Sequence, residues 1–128
     1  YTVTIPEEIE MAVSYFNENY NTKISVAQYA ESLHISTNWF IRNFKQHMKM
    51  SPAQYLLSLR MVNAQSLLEN TDYSVGEIAE IVGYDNQLYF SRVFKKEYGI
   101  SPAQYRKRAE NQSAAPMESD VGEITRED

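Results

Sequence analysis

Apolar residues recur at helical spacing along almost the whole chain, and no segment alternates apolar and polar positions long enough to make a strand. Ile9, Val13, Phe16 and Tyr20 follow Pro6, a residue type favoured in a first helical turn, which predicts a helix from about Pro6 to Tyr20. Four later starts carry a serine three residues ahead of a Gln or Glu: Ser25 with Gln28, Ser51 with Gln54, Ser74 with Glu77 and Ser101 with Gln104. At that spacing the hydroxyl accepts from a backbone N–H that the first helical turn leaves without a partner, and the longer side chain returns the bond. The elements that follow are Val26 to Leu33, a turn at His34 to Ser36, Thr37 to about Met48, Pro52 to about Glu69, Val75 to Val82, Asn86 to Tyr98, and a short helix opened by Pro102. The predicted fold class is all-α, with seven helices.

Half of this pattern is a copy of the other half. Residues 36–55 align with 86–105, pairing Phe40 with Phe90, Arg42 with Arg92, Phe44 with Phe94, Lys45 with Lys95 and the whole Ser-Pro-Ala-Gln-Tyr run. Upstream, Ser25-Val26, Ala30 and Leu33 match Ser74-Val75, Ala79 and Val82, so one residue has been gained between the matching segments. Each copy reads as a short helix, a tight turn and a medium helix, the order of a helix-turn-helix. Gly83 stands where the second short helix must end in a residue that accepts positive φ, and His34 holds that place in the first. The chain therefore predicts one domain over residues 6–108: a first unit at about 6–50, a linker helix at 52–70 and a second unit at about 74–108.

The medium helices are two-faced. With about 100° per residue and Phe40 set at zero, Phe44 falls near 40°, while Lys45, Asn38 and Arg42 fall near 140°, 160° and 200°. In the second copy Phe90 and Phe94 oppose Leu88, Arg92 and Lys95, with Gln87 and Ser91 on the flank of that outer side. A forked arginine beside amide or hydroxyl groups near a helix start is the set that pairs with base edges in the major groove. Arginine matches guanine, Asn or Gln matches adenine, and Ile41 or Leu88 suits a thymine methyl.

Charge changes the picture only when it is divided along the chain. The net charge of −5 argues against nucleic acid as a partner, but residues 1–22 and 111–128 contribute −4 each. Between 23 and 108, eleven Lys and Arg face seven Asp and Glu, and residues 36–60 carry Arg42, Lys45, Lys49 and Arg60 with no acid. Phosphate attraction depends on this local balance. The acidic stretch 111–128, poor in long apolar residues, reads as a disordered tail.

The composition excludes other classes. There is no cysteine, hence no disulfide or thiolate zinc site, and the two histidines are isolated. No Gly-rich phosphate loop and no Ser-His-Asp set is visible, so neither an enzyme nor a cofactor is expected. No run of eighteen apolar residues predicts membrane contact, and a reducing cytoplasm fits the lack of cysteine. The alternative to DNA binding is a helical protein–protein interaction module, which has no need of Arg and Lys at matched positions on two outer faces.

From Ser74-Val75-Gly76-Glu77-Ile78-Ala79 through Gly83-Tyr84, Tyr89-Phe90-Ser91-Arg92-Val93-Phe94-Lys95-Lys96 and Gly99 to Ser101-Pro102 and Tyr105-Arg106, the chain resembles the AraC/XylS family of bacterial transcription regulators. Arg60, Ala64 and Leu67-Leu68 fit the same pattern, and the resemblance covers about residues 9–108. It implies two helix-turn-helix units joined by a long central helix, with recognition helices entering successive major grooves. The base-reading positions it implies are Asn38, Ile41 and Arg42 in the first unit and Gln87, Leu88, Ser91 and Arg92 in the second. Thr37, Lys45, Lys49, Asn86, Lys95 and Lys96 are the expected phosphate contacts. The implied partners are duplex DNA carrying an asymmetric operator, RNA polymerase, and an effector or sensor domain on the N-terminal side, with activation on the bacterial nucleoid as the setting.

Overall fold

The computed structural model describes residues 4–114. All the regular structure among them is helical: α1 Glu7–Asn19, α2 Val26–Ser32, α3 Thr37–Met48, α4 Pro52–Asn70, α5 Val75–Ile81, α6 Gln87–Tyr98 and α7 Pro102–Ala114. The chain divides into two compact units, residues up to 63 with 81–83, and residues 64–80 with those from 84 onward.

The helix starts are set by the serines. Ser25, Ser51, Ser74 and Ser101 each accept from the backbone N–H three residues on, at 3.1–3.2 Å. At Ser74 and Ser101 the bond is returned, from the Ser74 N–H to Glu77 Oε1 at 2.8 Å and from the Ser101 N–H to Gln104 Oε1 at 3.0 Å. Two further caps escaped the sequence pattern. Ser36 accepts from the Trp39 N–H, and Asn86, expected inside its helix, lies one residue ahead of it with Oδ1 accepting from the Leu88 and Tyr89 N–H groups. Pro6 likewise precedes α1 instead of opening it, and its carbonyl accepts from the Ile9 and Glu10 N–H groups.

Helix ends turn where positive φ is available. His34 has φ 61° and Gly83 φ 104°, as their matched positions predict. The sequence pattern did not show that Lys49 closes α3 in the left-handed region at φ 67°, where its counterpart Gly99 closes α6 at φ 84°. A side chain there costs about 1–2 kcal/mol that glycine avoids. Lys49→Gly is therefore expected to stabilise the protein by about 1 kcal/mol, seen as a rise in the thermal midpoint.

In the first unit α3 packs on α1 and α2. Ile9, Ala12, Phe16, Ala30, Phe40, Phe44 and Leu56 form its buried core. Phe16 lies 5.8 Å from Phe44, and Phe44 meets Tyr55 edge-on at 5.6 Å. The second unit repeats that arrangement. Phe94 meets Tyr105 edge-on at 5.5 Å, with Phe90 at 6.0 Å, beside buried Leu68, Ile78 and Ala79. Both Tyr55 and Tyr105 come from the duplicated Ser-Pro-Ala-Gln-Tyr run, whose prolines are also fully buried. The two hydroxyls differ in their partners. That of Tyr55 accepts from Asn17 Nδ2 at 3.1 Å, whereas that of Tyr105 donates to Glu69. Burial and the Glu69 carboxylate push the Tyr105 phenol up to about 12.

Each unit also has an arginine that satisfies carbonyls after a helix end. Arg60 donates to the Tyr20 and Thr22 carbonyls at 2.8 Å, and Arg106 to those of Leu68 and Thr71 at 3.1 and 3.0 Å. Carbonyls freed at a helix C-terminus and partly shielded from water need such donors.

One expectation is corrected here. The acidic stretch from 111 begins in helix, because α7 runs on to Ala114 and is thirteen residues long, not short. A proline and a closed cap at its start, followed by Arg106, Lys107, Arg108, Ala109 and Glu110, favour propagation. The rest of that predicted tail, 115–128, lies outside the described residues.

Candidate nucleic-acid interface

The outer face of α3 is built by default from its inner face. Phe40 and Phe44, one turn apart, are both 0% exposed, and this fixes the rotation of the helix. Asn38, Arg42, Lys45 and Lys49 then share the opposite side, and all four are exposed. Ile41 is exposed at 38%, unusual for an isoleucine in a packed helix, while Thr37 is half-buried at the helix start.

Helix α6 is held in the same way by Phe90 and Phe94, again 0% exposed. Gln87, Leu88, Arg92, Lys95 and Lys96 are exposed and Ser91 is half-buried. Leu88 is 69% exposed and Tyr89 57%. Water solvates both poorly, and each stands in the first turn of α6, beside the arginine. Tyr89, whose ring centroid lies 5.8 Å from that of Tyr84, was not singled out in the sequence. Its place about 100° from Phe90 put it at the edge of the core face, where exposure cannot be told from periodicity alone.

The predicted site residues thus fall into two exposed stripes, one in each unit. Asn86 stands apart. Its Oδ1 is engaged in capping, so only its amide NH2 can serve an outside acceptor. Lys45, Lys95 and Lys96 lie in the last turns of α3 and α6, where a cation also complements the helix dipole. Among the described residues no group of three or more His, Cys, Asp or Glu could hold a metal ion, and no helix is long and apolar enough to cross a membrane.

Residues 29–108 match the model of a helix-turn-helix domain family. The chain is 38% identical over 101 residues to the raffinose operon transcriptional regulatory protein RafR of Pediococcus pentosaceus, covering 79% of this chain and 36% of that protein. It is 36% identical over 102 residues to the lactose operon transcription activator of Staphylococcus xylosus, covering 80% and 37%. The chain thus spans little more than a third of these relatives. Among solved structures, the C-terminal domain of AraT, a response regulator from Geobacillus stearothermophilus, is similar at TM-score 0.78 and 36% identity, covering 83% of this chain and 88% of that one. The DNA-binding domain of AdpA, solved in complex with a target DNA, is similar at TM-score 0.78 and 29% identity, covering 84% and 96%. With seven helices, two capped helix-turn-helix units and this sequence identity, the chain belongs to the AraC-type helix-turn-helix family of transcription regulators.

Proposed function

We propose that this chain is the sequence-specific DNA-binding domain of a bacterial transcription activator, reading successive major grooves of an asymmetric operator with α3 and α6. The observation that carries this is the matched pair of exposed arginine–lysine stripes, Arg42 with Lys45 and Arg92 with Lys95, each opposite two fully buried phenylalanines. A structural role for these helices needs the phenylalanines but not the arginines. Family membership and the likeness to a domain solved on its target DNA support the same function.

Asn38, Ile41 and Arg42 read bases for the first unit, and Gln87, Leu88, Ser91 and Arg92 for the second. The two sets differ in type, which makes the operator asymmetric. Thr37, Lys45, Lys49, Asn86, Lys95 and Lys96 hold the backbone phosphates. The whole regulator works in the cytoplasm on the nucleoid, carries an effector or sensor domain ahead of this segment and contacts RNA polymerase.

Arg42→Ala and Arg92→Ala are each expected to weaken specific binding by about 1–3 kcal/mol and to relax preference at one or two base pairs, the loss of a bidentate base contact. Lys45→Ala and Lys95→Ala are expected to lower affinity on every sequence and to reduce the salt slope by about one unit each. Gel-shift titrations on selected and random duplexes over a range of salt separate the two kinds of loss. Equal losses from all four variants on both duplexes would overturn the assignment of readers. Failure to retain any duplex at low salt would turn the function toward a protein-interaction module.

A further inference from the structure

Gly76 is the second residue of α5, and Gln87 opens α6 in the same unit. A Cβ on Gly76 would lie 2.7 Å from Gln87 Oε1 and 3.6 Å from its Cδ, and the next atom is Ser74 Oγ at 3.9 Å. The carbonyl end of the Gln87 amide is therefore folded against the bare Cα of Gly76, and its Nε2 is turned away. A real Cβ cannot stand 2.7 Å from an oxygen, so any larger residue at 76 expels that amide. The backbone gives no other reason for the glycine. Its φ is not in the left-handed region, and glycine is the poorest helix former after proline. In the first unit the matched positions are Ala27 and Thr37. A methyl group there faces a short side chain.

We propose that Gly76 is a positioning residue for base selection, giving the Gln87 amide a seat that holds its oxygen and presents only its NH2 to the major groove. This rests on Gln87 being a base reader, as proposed above. Adenine is read by glutamine through a bidentate pair that needs both the oxygen and the nitrogen, N6–H to Oε1 and Nε2–H to N7. A seated oxygen forbids that pairing. A lone donor instead suits guanine, whose major-groove edge offers the O6 and N7 acceptors. The second unit then prefers guanine to adenine at the base pair under Gln87, and the preference is set from α5, a helix that has no base contact of its own.

The test is selection from a random duplex pool by the wild-type chain, Gly76→Ala, Gln87→Ala and the double variant, with circular dichroism melts and affinity for random duplex as controls. Alanine suits the helical backbone at 76, so the melt is expected to stay or rise and random-duplex affinity to hold. Gln87→Ala is expected to flatten preference at one base pair. Gly76→Ala is expected to raise the adenine-to-guanine ratio at that same base pair about fivefold or more, and the double variant to match Gln87→Ala. If Gln87→Ala flattens the preference while Gly76→Ala selects the wild-type sequence, the seat is overturned and the reader stands. If Gln87→Ala changes nothing, Gln87 is not a reader, and both assignments fall.

Discussion

Phe94→Ala is expected to destabilise the protein by about 3–5 kcal/mol. The ring is 0% exposed and is enclosed by aromatics, Tyr98 at 4.7 Å, Tyr105 at 5.5 Å and Phe90 at 6.0 Å. Three faces of other rings cannot close over the void without leaving their rotamers, so the loss combines the transfer of the benzyl group with a cavity. A unit of this size has roughly 3–9 kcal/mol of stability in all, at about 0.05–0.15 kcal/mol per residue. Most of it would be gone. Phe44→Ala, emptying the matched site against Phe16, Phe40 and Tyr55, should cost as much. Circular dichroism melts report the total, while Trp39, the one tryptophan, packs on the first unit's core and reports that unit by its fluorescence. Loss of DNA binding in either variant would be secondary to unfolding. An unchanged melt for Phe94→Ala would mean that this ring contributes no packing.

Ser58→Pro is expected to cost about 3 kcal/mol or more. Position 58 lies inside α4, and proline removes its backbone donor and drives its ring into the carbonyl of Gln54. A kink there separates what α4 holds on either side. Leu56, buried in the first core, lies before it, and Arg60, bonded to the Tyr20 and Thr22 carbonyls, lies after it. Ser58→Ala is the control. It gives up only the hydroxyl's bond to the Tyr55 carbonyl at 2.9 Å and gains helix propensity, so urea midpoints should place it near wild type and the proline variant far below.

Much of this was legible in the sequence because it is written locally. The serine caps span three residues, and the phenylalanine pairs one helical turn, so the start and rotation of α3 and α6 follow from spacing alone. His34 was foreseen at positive φ because the repeat aligned it with Gly83. Lys49 could have been found by the same comparison, since it aligns with Gly99, but its charge drew attention to phosphate instead. The seat between Gly76 and Gln87 and the bonds from Arg60 and Arg106 join residues that no periodicity connects. They depend on how one helix lies against another. The length of α7 was missed for a different reason: the acids beyond 110 obscured a run of good helix formers before them.

The local caps and the distant arginine bonds also differ in when they can form. A serine and the N–H three residues away meet within a single turn, at almost no loop-closure cost, whereas Arg60 must find carbonyls 38 and 40 positions back and Arg106 others 35 and 38 back. Helix boundaries are thus decided before the chain has any tertiary order. The arginines act afterwards, as latches on helices already begun. Such a division of labour shortens the search for the native state and places this chain among the fast-folding helical proteins, in the microsecond-to-millisecond range.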